Sequence, residues 1–358
     1  MFSQGKSIAY IICIFLLGFS VLLKGQSSGG DNAYDFLNVT NSARVASLGG
    51  QQISLCDDDL NLVFHNPSLL TPQMDNNMVL NYVNYFAGVN YGYAAYAWKP
   101  QKPYTLAAGI HYVYYGEFTE TNASADITGT FRAADYALNL FYSRPVLDSL
   151  LNFGVNIKPV YSDLESYMSF GMAFDAGLTY HNPDKLFTAA LVVKNTGLQI
   201  VKYYADQERE NLPFELQMAI TQELKHAPFR FSILGQQLQR PNLSYMSDID
   251  LEKSIDPLTG EVREQDPLAG FADNFMRHII FGMEFIPTKN FNVRVGYNYK
   301  RRQEMKLSDA PGTVGFSWGF GLKVSKFHIS YGRASYHAAR GSNHFSVAMN
   351  LSEFTTRL

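Results

Sequence analysis

Residues 151–161 read LNFGVNIKPVY and residues 168–180 read MSFGMAFDAGLTY. In the first, Leu151, Phe153, Val155, Ile157 and Tyr161 share one parity, while Asn152, Gly154, Asn156 and Lys158 share the other; Pro159 alone spoils the apolar face. In the second, Met168, Phe170, Met172, Phe174, Ala176, Leu178 and Tyr180 alternate with Ser169, Gly171, Ala173, Asp175, Gly177 and Thr179. Successive strand side chains point to opposite faces, so period two over this length predicts β-strands with one apolar and one small or polar face.

Similar alternation recurs near residues 78–86, 89–98, 104–117, 131–144, 186–194, 213–222, 228–239, 277–287, 291–301, 313–325, 326–337 and 343–351. That makes about fourteen strands, an even number, as a closed bacterial barrel requires. Many exceed the five or six residues of an average strand and are long enough to cross a bilayer at a tilt. The linkers alternate short and long: 99–103 and 145–150 are short, 118–130 and 195–212 long, 223–227 short, 240–276 very long. Short turns on one side and longer loops on the other are the pattern of outer-membrane barrels. The tight step at 87–88 is the exception, and the first two strands are the least secured by the pattern.

Which face points outward does not follow from alternation, because a soluble sandwich alternates too. Asp135, Asp175, Glu215, Arg294 and Lys300 sit on the small and polar face. A polar lumen accommodates them, and so does a solvated sandwich surface.

The chain opens with Lys6 and the uncharged run SIAYIICIFLLGFSVLL (7–23), followed by the small and polar 25–30. This is the pattern of a secretory signal peptide. A single membrane anchor is the rival reading, since a run of this length could just span a bilayer. Cys13 lies inside the apolar run rather than after it, which argues against a lipoprotein. Cleavage after residue 25 would take away Lys6 and Lys24 and move the formal charge from -3 to -5. That balance predicts no nucleic-acid partner. Cys56 would then stand alone, with no internal disulfide, as a small buried apolar residue rather than a reactive thiol. The expected organisation is a signal peptide (1–25), an N-terminal segment acting as a lumenal plug (26–77) and an outer-membrane barrel (78–358). The plug segment does not alternate, and a short helix near 58–64, capped by Asp57 or Asp58, is expected.

No chemistry-bearing constellation appears. There is no GxSxG elbow, HExxH, P-loop or CxxC. The only SxxK is Ser3-Gln4-Gly5-Lys6, in the leader, and Lys194-Asn195-Thr196-Gly197 is not a KTG triad. A non-enzyme without cofactor or metal is expected. Asp57-Asp58-Asp59 lacks the spacing of a calcium loop and reads as capping and solvated charge. His65 reads as a turn or plug hydrogen-bonding residue rather than a metal ligand. Asp248, Asp250, Glu252, Asp256, Glu261, Glu264 and Asp266 crowd the long linker against Lys253 and Arg263. As a surface loop this would be an acidic, partner-binding patch. Lys300-Arg301-Arg302 with Lys306 reads as a second cluster, pairing locally or meeting anionic lipopolysaccharide.

The stretches SARVASLGG (42–50), DDDLNLVFHNPSLL (57–70), LPFELQ (212–217), ADNFMRHIIFGMEF (272–285) and NFNVRVGYNYKRRQEMKL (290–307) resemble the PorV/PorQ family of the type IX secretion system of Bacteroidetes. That family is related to the long-chain fatty acid transporter barrels. The resemblance implies a fourteen-stranded outer-membrane barrel with a plug. It also implies a non-enzymatic anchor that holds a PorZ-like surface protein in the attachment complex joining secreted cargo to anionic lipopolysaccharide. Two other classes stand beside it: an outer-membrane transporter for a hydrophobic small molecule, which needs an apolar lumenal path and a lateral gap, and a secreted soluble β-sandwich binding carbohydrate.

Overall fold

A computed structural model describes residues 32–147, 150–204, 206, 208–244, 267–305, 312–335 and 341–355. Fourteen antiparallel strands close into one barrel: β1 (Asn77–Asn84), β2 (Asn90–Trp98), β3 (Thr105–Thr121), β4 (Ile127–Leu147), β5 (Leu151–Leu164), β6 (Tyr167–Asn182), β7 (Phe187–Val201), β8 (Glu215–Glu223), β9 (Phe229–Gly235), β10 (Ile279–Thr288), β11 (Phe291–Asn298), β12 (Phe316–Val324), β13 (Phe327–Ser335) and β14 (Gly341–Asn350). Each strand pairs with its sequence neighbours, and β1 closes on β14 from Asn77↔Asn350 to Asn84↔Asn343. Closure leaves no sheet edge and excludes the two-sheet sandwich.

Closure also settles the faces. Residues such as Leu138, Leu140, Phe153, Ile157, Phe174, Leu191, Ile233, Phe320 and Ile329 point outward, while Asp175, Lys158, Asn156, Gln217, Glu284 and Arg294 are buried inside. An apolar exterior over a polar interior is the reverse of a water-soluble protein and is the pattern of a barrel in lipid. No helix among the described residues is long and apolar enough to cross a membrane; crossing would be by strands.

The connections divide between two rims. One rim joins β2 to β3, β4 to β5, β6 to β7, β8 to β9, β10 to β11 and β12 to β13, and the other joins β1 to β2, β3 to β4, β5 to β6, β7 to β8, β9 to β10, β11 to β12 and β13 to β14. We call these the short-turn rim and the long-loop rim. The tight step between the first strands is a turn with Ala87 and Gly88 at positive φ, so β1 and β2 are regular strands around it. The wall is uneven in height. β3 to β7 run 14 to 21 residues, whereas β8 to β14 run 7 to 10, so the long-loop rim stands taller on one side.

Several strand ends differ from the alternation. β3 and β4 form a longer hairpin than 104–117 and 131–144 suggested, and the strand expected over 228–239 stops at Gly235. The run expected to start at 277 is preceded by a helix, Pro267–His278, and the run expected to reach 301 turns into a helix, Tyr299–Met305. Lys300 is therefore helical and not in mid-strand. The sequence YKRRQEM offers no apolar parity to bury, and its Lys300–Glu304 pair, 3.7 Å apart, belongs to helical i,i+4 spacing.

Inside the barrel lies the segment that precedes β1. It holds a helix α1 (Ala43–Ser47) and single-turn 3₁₀ helices at Asp35–Asn38, Leu60–Phe64, Pro67–Leu69 and Pro72–Met74. Ser42 caps α1 by accepting from Val45 N, and Asn66 accepts from Ser68 N ahead of Pro67. The Leu60–Phe64 turn is capped by Asp59, whose carboxylate accepts from Asn61 N, rather than by Asp57 or Asp58. The wall leaves room for this segment with glycine. A Cβ on Gly332 of β13 would collide with the Ala43 carbonyl, and one on Gly154 of β5 with the Pro67 backbone. In chain order the remaining helices are α2 (Pro267–His278), α3 (Tyr299–Met305) and α4 (Ser352–Thr355).

Candidate functional site

The lumen contains three layers. At the short-turn end, Glu284 on β10 stands in register between Arg230 on β9 and Arg294 on β11. From the plug, α1 delivers Arg44 into the same cluster. Its Nε lies 2.9 Å from Glu284, and its terminal nitrogens lie 2.6 Å from Asp57 and 3.1 Å from Asp59. Arg230 bridges Asp57 and Glu284 at 3.0 Å each and reaches Glu223 at 2.5 Å, while Arg294 Nε meets Glu284 at 3.1 Å. Burial opposes charging Asp57, but the adjacent Arg44 and Arg230 guanidinium groups outweigh it and hold the carboxyl well below its usual range. Asp57 and Asp59 of the acidic run are thus part of an arginine clasp. Among the described residues no group of His, Cys, Asp and Glu is arranged to hold a metal.

Beside the clasp, Cys56 lines an open cleft of about 230 Å³ with His181, Thr188, Thr221 and Glu223. Burial, then the Asp57 charge, pushes its thiol up to about 11, so it is a protonated packing residue and not a nucleophile.

The middle layer is polar and tightly filled. Lys158 pairs with Asp175 at 2.6 Å and donates to Asn195 Oδ1, and the Asn195 amide donates to the same carboxylate at 2.8 Å. His65 does not hydrogen-bond as the sequence suggested. Both its ring nitrogens lack a partner among the described residues, and the ring packs edge-on against Phe64 at 5.2 Å. Burial first, then the Lys194, His111 and Lys158 charges, hold this imidazole far below its ordinary value, so it is neutral.

The third layer, toward the long-loop rim, is apolar. Ala33, Tyr34, Phe36 and Leu37 of the plug pack against Val83, Tyr91, Val113, Ala137, Val160 and Ala173 of six neighbouring strands and against Leu212 of a rim loop. Tyr85, Tyr115 and Tyr203 pack around them. The hydroxyls are tied into the wall: Tyr34 pairs with Ser169 at 2.5 Å, Tyr115 donates to Asp135 at 2.6 Å and Tyr203 donates to Ser162 at 2.7 Å. With these three polar tips satisfied, their ring bodies present apolar surface to the interior. Phe36 and Phe64 also sandwich His111, at 5.6 and 5.2 Å.

This layer borders a seam in the wall. β7 pairs with β8 only from Phe187 to Lys194; beyond Lys194 its ladder continues on β6 alone. The loop before β8 fills the gap. Asn195 donates to Asn38 Oδ1 at 2.8 Å and to the Pro213 carbonyl at 3.0 Å, and the Ala33 amide donates to the Asn211 carbonyl at 2.9 Å.

The acidic residues singled out in the long linker, Asp248, Asp250, Glu252, Asp256, Glu261, Glu264 and Asp266, lie outside the described residues. Of the basic cluster, Lys306 lies outside the described residues and the other three are occupied locally. Lys300 donates to Gln237 at 2.6 Å, Arg301 to the Gly49 carbonyl at 3.2 Å and Arg302 to the Gly312 carbonyl at 2.5 Å. Sequence reasoning missed the clasp and the aromatic layer. The signal for the clasp was present: Arg230, Glu284 and Arg294 all occupy the small and polar parity of their strands.

No protein-family model and no curated protein matches the chain. Solved structures do. The toluene transporter TbuX of Ralstonia pickettii aligns over 88% of this chain and 98% of its own at 11% identity, with a TM-score of 0.50. The toluene transporter TodX of P. putida aligns over 88% and 99% at 12% identity, also at 0.50. A FadL homologue of Pseudomonas aeruginosa covers 87% and 98% at 10% identity and 0.49. At such identities the likeness is one of fold alone, a closed antiparallel barrel.

These findings correct the expectation of a type IX secretion anchor holding a PorZ-like partner. The two solved barrels that share the fold at a TM-score of 0.50 are named as toluene transporters, and no protein of the attachment complex is among the matches described. The physical reason is visible in the stretches that carried the resemblance. Residues 42–50 and 57–70 lie in the plug, and 212–217, 272–285 and 290–305 build the wall and the two rim helices beside it, while 306–307 lie outside the described residues. They encode plug-to-wall packing and say nothing of a surface partner.

Proposed function

We propose that the chain is an outer-membrane barrel, not an enzyme, that admits a small hydrophobic molecule to its lumen at the long-loop rim. The observation that carries this reading is the apolar, aromatic layer of Tyr34, Phe36, Tyr91, Val113, Tyr115 and Tyr203, placed where a water-filled barrel would be polar. Sites for small apolar ligands are concave, mainly aromatic and aliphatic, with a few fixed polar groups. The shared fold with barrels named as toluene transporters supports a molecule of monoaromatic size. Below this layer the polar middle and the arginine clasp oppose an apolar passenger. The seam beyond Lys194 is the apolar exit, because Leu212 belongs both to the loop that fills it and to the aromatic layer.

Uptake of radiolabelled toluene by cells with and without the chain in the outer-membrane fraction tests the reading. Val113→Asp, which buries a carboxylate in the layer, and a disulfide from the paired changes Asn38→Cys and Asn195→Cys, which staples the seam, should each abolish the chain-dependent uptake. Reduction should restore it in the stapled form. Chain-dependent uptake that survives both changes, or uptake indifferent to the chain, overturns the proposal.

A further inference from the structure

Helix α2 is amphipathic in the reverse sense to a helix of a soluble protein. Its exposed positions Leu268, Phe271, Ala272 and Phe275 recur at helical spacing, with Leu268, Phe271 and Phe275 exposed at 73%, 68% and 54%. Its protein-facing positions are polar. Asp273 binds Arg277 at 2.7 Å and accepts from the Tyr299 hydroxyl of α3 at 2.7 Å. Asn274 accepts from the Leu243 amide at 2.7 Å and donates to the Pro241 carbonyl at 2.8 Å. The Arg277 carbonyl accepts from Gln236 at 3.0 Å. The polar face is thus fixed to the rim, and the apolar face is turned away from the protein.

That face is continuous with the outer surface of the wall. α2 runs into β10 without an intervening residue, and Phe275 is one helical turn from Ile279, from which the outward row continues to Phe281. Flanking strands extend the same belt with Ile233 on β9 and Val295 and Tyr297 on β11. We infer that α2 is an interfacial helix of the outer leaflet, its Leu268, Phe271 and Phe275 face seated in lipid acyl chains as an upward extension of the barrel's apolar belt. A helix with one face of Phe and Leu and the other polar occupies the headgroup and acyl boundary in this way. Its role is to hold the rim residues it binds, Gln236, Pro241 and Leu243, at the membrane surface beside the short side of the wall. The inference rests on the reading of the chain as a membrane barrel, and the test separates the two.

In a Cys13→Ser, Cys56→Ser background, single Cys replacements at Phe271, Phe275, Phe281 and Ile127 are nitroxide-labelled. The protein is reconstituted into vesicles of phosphatidylethanolamine and phosphatidylglycerol. Collision rates with oxygen, which concentrates in lipid, are compared with those of a water-soluble nickel chelate. Phe281 reports the wall, and Ile127, at the exposed tip of the β3–β4 hairpin, reports water. The expected result is an oxygen-to-nickel ratio at positions 271 and 275 several-fold above that at 127 and approaching that at 281. A water-like ratio at 271 and 275 with a lipid-like ratio at 281 overturns the inference alone. So does low collision with both reagents, which would mean that a protein segment covers the helix. A water-like ratio at 281 removes the membrane reading, and this inference with it.

Discussion

At the short-turn end the plug is held by charge: one arginine of α1 reaches two plug carboxylates and Glu284, which two wall arginines flank in register. At the long-loop end, residues 33–37 are held by rings and aliphatic contacts, with a tyrosine hydroxyl tied to Ser169. Charge networks in a buried setting are demanding, because losing one member leaves its partners desolvated and unpaired. Apolar contacts are permissive and can be remade around a guest. The difference teaches which end of the plug is built to stay and which is built to yield.

The largest effect that could break this comparison comes from Glu284→Gln, which leaves Arg44, Arg230 and Arg294 facing one another. The cost should be about 3–5 kcal/mol, read as lost hydrogen-exchange protection across residues 43–47 with 35–38 little changed. Loss of protection at both ends would show that the plug is one cooperative unit. Next, Gly332→Val forces a side chain into the Ala43 carbonyl and should cost about 1–3 kcal/mol by overpacking, again confined to the α1 end. On the apolar side, Tyr203→Phe removes the donation to Ser162. The expected loss is about 1 kcal/mol, visible at 35–38 and absent at 43–47.

The smallest effect at neutral pH sharpens the contrast as acid is added. Asp57 has its folded-state pKa depressed, so its stabilisation is fully present above its unfolded value of 3.8 and is lost as pH falls through and below it. Melting of the purified barrel should therefore begin to fall below about pH 4, and Asp57→Asn should lower stability at neutral pH while flattening that acid dependence. An acid response unchanged in Asp57→Asn would remove the Asp57 carboxylate from the explanation.

The wall was legible because a barrel strand obeys a strict period of two, and turns of alternating length betray the two rims. Residues 151–161 and 168–180 became β5 and β6 with that parity intact. Alternation failed where it ran into helix. Tyr299 alone continued the apolar parity of β11 before the charged Lys300 and Arg301, and it already belongs to α3, as 277–278 belong to α2. The lumenal layers were beyond the pattern for a different reason. Arg44 and Glu284 are 240 positions apart, Tyr34 and Ser169 are 135 apart and Ala43 and Ser346 are 303 apart, and periodicity reports on neighbours in one strand only. Likewise Tyr91, Val113 and Val160 read as ordinary apolar strand residues. Only closure shows that they point inward, opposite to the lipid-facing rows.

The arginine clasp also constrains the order in which the molecule can be assembled. Arg44 emerges early in synthesis, yet its partner Glu284 lies on β10 and the flanking arginines on β9 and β11. The clasp cannot be completed until the eleventh strand has joined the sheet. The sheet must still stay open at β1 and β14 until then, since that seam, once zipped from Asn77↔Asn350 to Asn84↔Asn343, seals the wall around whatever lies within. Closing so distant a contact costs loop entropy before it returns any energy. Capture of the plug and closure of the β1–β14 seam are therefore late, coupled steps in the biogenesis of this chain.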